Sequence, residues 1–249
     1  MRNVHLIQVF SCSLVAVLLP ASLTQAEEFR FGSFENNGIN NRASGQITEG
    51  AFTMSLAAGP AGALITEISS TGLGVNSRAV PGVEPIDDAG ATGGTTDINL
   101  IGGSSQFAGQ PETITFSFDK PGVVTEMDFS GVKDESYEHF ILTWDSGPGI
   151  YFFDSFNGSS ADPGLISVPG TLVFLLEEVG NSFIDDRSPP LFIPFEAGQE
   201  FTLSFGDLPL GDVANGARFQ GITVVEIPEP ATALLVAGLL SLWPGRLRR

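Results

Sequence analysis

Four acidic residues in one stretch, Glu84, Asp87, Asp88 and Asp97, are the side chains best suited to holding a metal ion. Calcium takes about six to eight hard oxygen ligands from carboxylates and backbone carbonyls, often in loops. The stretch lacks the evenly spaced acids and the closing glutamate of an EF-hand loop. The pattern therefore predicts a candidate calcium site, and the alternative is a solvated acidic loop.

A second candidate site is a pair of aromatic residues. Trp144 and Tyr151 flank a Gly/Pro-containing turn at 145–149. Exposed Trp and Tyr side chains suit sugar binding, because an apolar ring carries a polar group that tolerates water. We interpret the pair as a candidate sugar contact, with a packing role as the alternative. The abundant phenylalanines, 20 in the whole chain, are more typical of a core.

The sequence contains no catalytic motif. A serine hydrolase would need a Gly-x-Ser-x-Gly elbow, which is absent. Paired carboxylates can hydrolyse glycosides, but in so acidic a chain a chance pair discriminates nothing. His139 lies at the start of a predicted strand, where a structural role is more common than catalysis. We therefore expect the protein not to be an enzyme.

The first 26 residues have the build of a secretory signal peptide. Arg2 supplies the positive n-region, 6–19 form an apolar h-region, and Pro20 ends it before a cleavage position at Ala26. Cleavage there removes Cys12, the only cysteine. The mature chain then has no disulfide and no thiolate metal site.

The last residues, 228–249, form a second targeting segment. Pro228, Glu229 and Pro230 precede an apolar run at 231–243, and the chain closes at 246–249 on a basic cluster. Thirteen residues at about 1.5 Å each span roughly 20 Å, less than the ~30 Å hydrocarbon core, so this is a short transmembrane helix. The basic cluster favours a cytoplasmic end, which places the body outside the inner membrane. Its arginines are Arg246, Arg248 and Arg249.

This combination of Pro-Glu-Pro, glycine-centred apolar helix and arginine tail resembles the PEP-CTERM sorting signal. Such signals occur on exported proteins of Gram-negative bacteria that make exopolysaccharide. The resemblance implies an exosortase, a membrane transpeptidase-like enzyme, as processing partner. It also implies a transient inner-membrane anchor, followed by release to the cell surface or the extracellular matrix of a biofilm.

The body between the two targeting segments, 27–227, is strongly acidic. It carries 28 acidic and 7 basic residues, a formal net charge of −21. Such a charge repels nucleic acid and anionic polymers and attracts cations. We expect no nucleic-acid partner, and cationic surfaces or uncharged exopolysaccharide as better candidates.

The body reads as many short strands separated by Gly/Pro turns, which predicts an all-β fold. We expect one domain of the β-sandwich or jelly-roll type. Stretches 72–110 and 157–169 read as long surface loops. The predicted strands are 28–34, 46–56, 63–69, 112–118, 123–132, 139–144, 150–156, 171–176, 191–195, 200–205 and 218–227.

Four short segments also resemble, more weakly, the β-sandwich domains that precede this sorting signal. They are the Gly-Leu-Gly-Val-Asn stretch at 72–76, the acidic stretch at 86–88, the alternating stretch at 112–119 and the closing stretch at 219–224. This resemblance implies an architecture and no activity.

The sequence as a whole predicts an exported structural or adhesive protein of the cell surface or extracellular matrix. The alternatives are a secreted polysaccharide-binding module and a polysaccharide-active enzyme.

Overall fold

Alternation of apolar and polar residues builds the strands. In Thr113–Phe118 every second side chain is buried, because successive residues point to opposite faces of a sheet. Phe201 and Leu203 are buried in the same way one strand away, with Thr202 between them turned outward. This pattern gives each strand one face for the core and one for water.

The structure is a computed structural model, and it describes residues 25–32, 38–68, 72–82, 84–85, 98, 101–102, 106, 110–131, 138–145, 147, 149–154, 172–178, 185–207 and 217–227. The strands are β1 (Ala26–Arg30), β2 (Ser44–Glu49), β3 (Phe52–Gly59), β4 (Leu64–Ile68), β5 (Gly72–Asn76), β6 (Glu84–Pro85), β7 (Ile101–Gly102), β8 (Thr113–Phe118), β9 (Gly122–Ser130), β10 (Glu138–Trp144), β11 (Ile150–Asp154), β12 (Leu172–Glu178), β13 (Asp185–Arg187), β14 (Ile193–Phe195), β15 (Phe201–Asp207) and β16 (Arg218–Glu226). One 3₁₀ helix, Ser77–Ala79, follows β5.

Fourteen of these strands form one large sheet that curls towards a barrel. Its hydrogen-bonded order is β2-β3-β8-β15-β10-β11-β12-β13-β9-β16-β5-β4, with β1 on β16 and β14 on β9. Strand β12 makes the corner, since it pairs first with β11 and then with β13. At the other end, Ile65 of β4 exchanges backbone hydrogen bonds of 2.7 and 2.8 Å with Arg42 and Asn41, just before β2. The predicted all-β fold is confirmed, and the described strands lie in the compact unit Gln25–Ile227.

Phenylalanine dominates the interior, as predicted. Phe129 stacks on Phe140 with ring centroids 4.4 Å apart, and Phe219 stacks on Phe116 at 5.9 Å. The second pair joins β16 to β8, so the core connects the two sides of the curled sheet. The fully buried phenylalanines are Phe29, Phe52, Phe116, Phe118, Phe129, Phe140, Phe152, Phe201, Phe205 and Phe219.

The structure corrects one predicted strand. The single run 46–56 is in fact a hairpin, with β2 and β3 joined by two residues at Gly50 and Ala51. Gly50 has φ +50°, a left-handed conformation that glycine adopts without steric cost. Strand-like alternation resumes at Phe52, directly after a turn of only two residues, and this short interruption concealed the turn.

The predicted loop 72–110 is wrong at its start. Strand β5 lies there, and its first four residues are buried. A Cβ on Gly72 would lie 2.6 Å from the Phe219 carbonyl oxygen, so the glycine lets β5 approach β16 closely. Low side-chain volume here reflects tight backbone packing rather than a surface loop.

The predicted signal peptide, 1–26, and the predicted sorting signal, 228–249, fall largely outside the described residues. The predicted loop 157–169 does so as well. Among the residues described, none belongs to a helix long and apolar enough to cross a membrane.

Candidate functional site

The outer side of β2, β3, β8, β15 and β10 carries a sheet surface of hydroxyl and amide groups, which we call the hydroxyl face. The strand register aligns its members in rows: Gln46, Ser55 and Ser117 form one row, and Thr115, Thr202 and Thr143 are consecutive members of the next. The hydroxyl face consists of Ser44, Gln46, Thr48, Thr53, Ser55, Thr115, Ser117, Thr143 and Thr202.

A groove of about 780 Å³ runs over the first part of this face. Gln46 Nε2 donates to Ser55 Oγ at 3.1 Å within it. Serine and threonine hydroxyls both donate and accept hydrogen bonds, so such a floor suits a ligand that also does both. The lining residues are Arg42, Ser44, Gly45, Gln46, Ser55, Leu56, Ala57, Thr115, Phe116, Ser117 and Glu200.

A smaller pocket of about 350 Å³ lies beside the groove, at the end of β10 and the start of β15. It is lined by Thr143, Trp144, Asp145, Glu200 and Thr202. Because Glu200 lines both cavities, the pocket adjoins the groove. We call it the acidic pocket.

A different surface, the charged face, lies on the outer side of β1, β9 and β13. Its members are Glu28, Arg30, Glu126, Asp128 and Arg187. Arg187 Nε donates to Asp128 Oδ1 at 2.9 Å and lies 3.3 Å from Glu126 Oε1. Arg30 pairs with Glu28 at 2.5 Å within β1. The basic and acidic side chains of the charged face therefore form ion pairs with one another.

The charged face alters two pKa values. Burial raises the pKa of Glu126, and the neighbouring carboxylates of Asp128 and Glu28 also raise it, against the lowering effect of Arg187. The hydrogen bond to Asp128 is the main cause that raises the pKa of Arg187. Arg187 therefore stays a cation and anchors this cluster.

The residues of the predicted calcium site are described only in part. The backbone of Glu84 pairs with Gly102 in the short β6–β7 ladder. Asp87, Asp88 and Asp97 lie outside the described residues. Within the described part of the chain, no three Asp, Glu, His or Cys residues are placed to share a metal ion. The calcium site stays a prediction.

A buried carboxylate, Glu112, does occur near that stretch. Its side chain is 0% exposed, and its Oε1 accepts the Ser77 backbone N–H at 3.0 Å. A buried charge needs such hydrogen bonds to offset its desolvation. Glu112 therefore ties the start of the 3₁₀ helix to β8.

The two predicted sugar contacts lie on opposite sides of the sheet. Trp144 pairs with Phe201, and its ring packs on Phe201 at 5.7 Å, so it faces the core edge and the acidic pocket. Tyr151 pairs with Ile141 on the outer side and stacks on His139 at 5.3 Å. They do not share one surface. His139 itself is 2% exposed.

The predicted signal cleavage position lies beside the last strand. Ala26 begins β1 and pairs with Val225 of β16. The start of β1 and the end of β16 therefore lie side by side. The sorting residues Pro228, Glu229 and Pro230 and the arginines at 246, 248 and 249 lie outside the described residues.

The sequence analysis did not predict the groove residues as a site. Their signal was present, since polar positions alternate with apolar ones in 113–118 and 201–205. Only the register of non-sequential strands shows that these positions are neighbours.

Comparison with models of known protein families, with curated proteins and with solved structures finds no match to this chain. Within the described residues, fold and site define an all-β body with a polar groove on one outer face.

Proposed function

We propose that this is an exported adhesive or structural protein that holds polysaccharide on its hydroxyl face at the cell surface or in the extracellular matrix. The observation that carries the proposal is the groove of about 780 Å³ floored by serine, threonine and glutamine side chains. A polysaccharide presents rows of hydroxyl groups that both donate and accept hydrogen bonds. The groove offers the same chemistry in return.

The pairing of the first strand of the body with its last strand supports the export part of the proposal. The predicted signal cleavage position, Ala26, pairs with Val225, only three residues before Pro228. The predicted cleavage position and the last strand before the predicted sorting motif are therefore neighbours within the body. We also propose that an exosortase processes the tail. The body is, in this proposal, of the β-sandwich or jelly-roll type.

The binding proposal is tested by filling the groove. Thr115→Gln places a longer neutral side chain on its floor. We expect it to weaken binding of exopolysaccharide fragments by about tenfold or more, equal to about 1.4 kcal/mol. Calorimetry on the secreted protein measures the affinity. The matched control is Thr223→Gln, on β16 beside the charged face, which should leave affinity unchanged. Equal effects of the two changes would contradict the proposal.

A second candidate function is a polysaccharide-active enzyme. One observation favours it, since Asp145 and Glu200 line the same small pocket, and glycoside hydrolysis needs two carboxyl groups. Release of reducing ends from exopolysaccharide, lost in Glu200→Gln, would establish this function. Binding with unchanged polymer length would favour the adhesive function.

The tail is tested separately. Mass spectrometry of the protein recovered outside the cell should show a C-terminus near Pro228–Pro230 and an N-terminus at Glu27. Recovery of extracellular protein that still ends in Arg249 would count against processing.

A further inference from the structure

The acidic pocket is built by two adjacent strands that hold its side chains in a fixed relation. Thr143 of β10 pairs directly with Thr202 of β15, and Trp144 pairs with Phe201. Glu200 comes one residue before β15, and Asp145 one residue after β10. The register therefore brings two carboxylates and two hydroxyls together on the outer side of the sheet, at a cavity of about 350 Å³ that Trp144 also lines.

Trp144 supports the pocket from the inner side of the sheet. Its indole packs on the buried Phe201 ring, at 5.7 Å. Gly147, in the turn after β10, lies so close that a Cβ there would collide with the indole. The ring is thus held between the core and the turn, on the side of the sheet opposite Thr143 and Thr202, and it fixes the end of β10 from which Asp145 follows.

The charge of the pocket is of one sign. Asp145 and Glu200 are both exposed, and its other lining residues are Thr143, Trp144 and Thr202. Among the residues that the structure describes, Arg42, which lies in the groove, is the only basic one that lines either cavity. The surrounding body adds a formal charge of −21. A cationic group is therefore the ligand chemistry that this pocket favours.

We propose that the acidic pocket binds a sugar unit with a free ammonium group, so that the preferred polymer is a partly de-N-acetylated amino-sugar polysaccharide. This inference rests on the proposed function, because the pocket adjoins the groove that holds the chain. The ammonium group donates hydrogen bonds to Asp145 and Glu200, and the two threonine hydroxyls form hydrogen bonds with ring hydroxyls. A neutral sugar leaves both carboxylates without a charged partner, and a uronic acid is repelled.

The test compares four oligosaccharides of equal length on the secreted protein: glucosamine, N-acetylglucosamine, glucose and galacturonate oligomers. We expect the glucosamine oligomer to bind about tenfold more tightly than the N-acetylated one. The advantage should shrink as salt is raised, because exposed charges are screened. Asp145→Asn and Glu200→Gln should each reduce the ratio. The matched control is Glu177→Gln, an exposed residue of β12 away from the pocket, which should leave the ratio unchanged.

The outcomes separate this inference from the proposed function. Equal affinity for the glucosamine and N-acetylglucosamine oligomers would overturn the inference and leave polysaccharide binding intact. A preference for glucosamine that survives in the Asp145→Asn/Glu200→Gln double variant would also overturn it. Failure of all four oligomers to bind would overturn both. The salt dependence of the wild-type protein gives a readout that no folding defect of a variant affects.

Discussion

The hydroxyl face and the charged face are the outer surfaces of one curled sheet, yet they are built from opposite chemistry. On the charged face, Arg187 is held by Asp128 and Glu126 at 2.9 and 3.3 Å. On the hydroxyl face, the side chains that form the floor of the groove are neutral serine, threonine and glutamine, and Gln46 donates to Ser55 across two strands at 3.1 Å. The charged face is held together by ion pairs, whereas the hydroxyl face makes neutral cross-strand hydrogen bonds such as the one between Thr48 and Thr53. A hydroxyl that makes one such bond can still form another with a ligand.

This contrast assigns different roles to surfaces of the same sheet. Substitutions on the charged face should change stability and leave binding alone. Substitutions on the hydroxyl face should do the reverse. The core that joins them should affect both.

The largest effect is expected from the core. Phe219 stacks on Phe116 behind the hydroxyl face and packs with Phe129 at 6.1 Å behind the charged face. Phe219→Ala should cost about 3–5 kcal/mol of unfolding free energy because it leaves a cavity. Denaturant unfolding followed by fluorescence and circular dichroism measures it. Phe192, which is 81% exposed, gives the control. A Phe192→Ala change as damaging as Phe219→Ala would refute this account of the core.

An intermediate effect is expected on the charged face. Asp128 is 9% exposed and accepts the Arg187 hydrogen bond. Asp128→Ala should cost about 1–3 kcal/mol, the usual range for losing a charge-assisted hydrogen bond. Thermal unfolding measures this loss, and affinity for the oligosaccharides should not change. A loss of affinity without a loss of stability would reverse the roles of the two faces.

The smallest effect concerns pH. The raised pKa of Glu126 means that folding favours its protonated form, so its stabilising contribution is present below the ordinary glutamate pKa. The contribution is lost as pH rises through the raised pKa of the folded state. Glu126→Gln should therefore gain stability relative to the wild type between about pH 4 and 7. We expect a gain within about 0.5 kcal/mol, as is usual for surface changes.

Unfolding curves of the wild type and of Glu126→Gln, measured at about pH 4 and about pH 7, test this prediction. A variant that instead loses stability as pH rises would show that attraction to Arg187 outweighs burial. The charged face would then depend on Glu126 as it does on Asp128.

The strand content was readable from the sequence because alternation is a local property. The stretch 113–118 alternates strictly, and β8 spans it. Strand β5 was missed because its residues are small and glycine-rich, and these features also mark loops. Its burial depends on β16, which lies far along the chain. No local pattern contains that contact.

The candidate site residues were also predictable only in part. Residue types pointed to Trp144, and the structure places it in the wall of a pocket. Tyr151 was chosen by its closeness in sequence to Trp144, but the strand register turns it to the other side of the sheet. Glu200 had no distinguishing signal, and Thr115 had only its polar position in an alternating strand. They gain a role only because β15 lies between β8 and β10.

The sequence by itself determined the all-β character, the acidic charge of the body and the apolar set that fills the core. These properties follow from composition and from the period of two along a strand. The tertiary structure decided which polar faces came together, because that depends on the order and register of strands distant in sequence. The same pairing brought Ala26 beside Val225 and set Asp145 and Glu200 around one pocket.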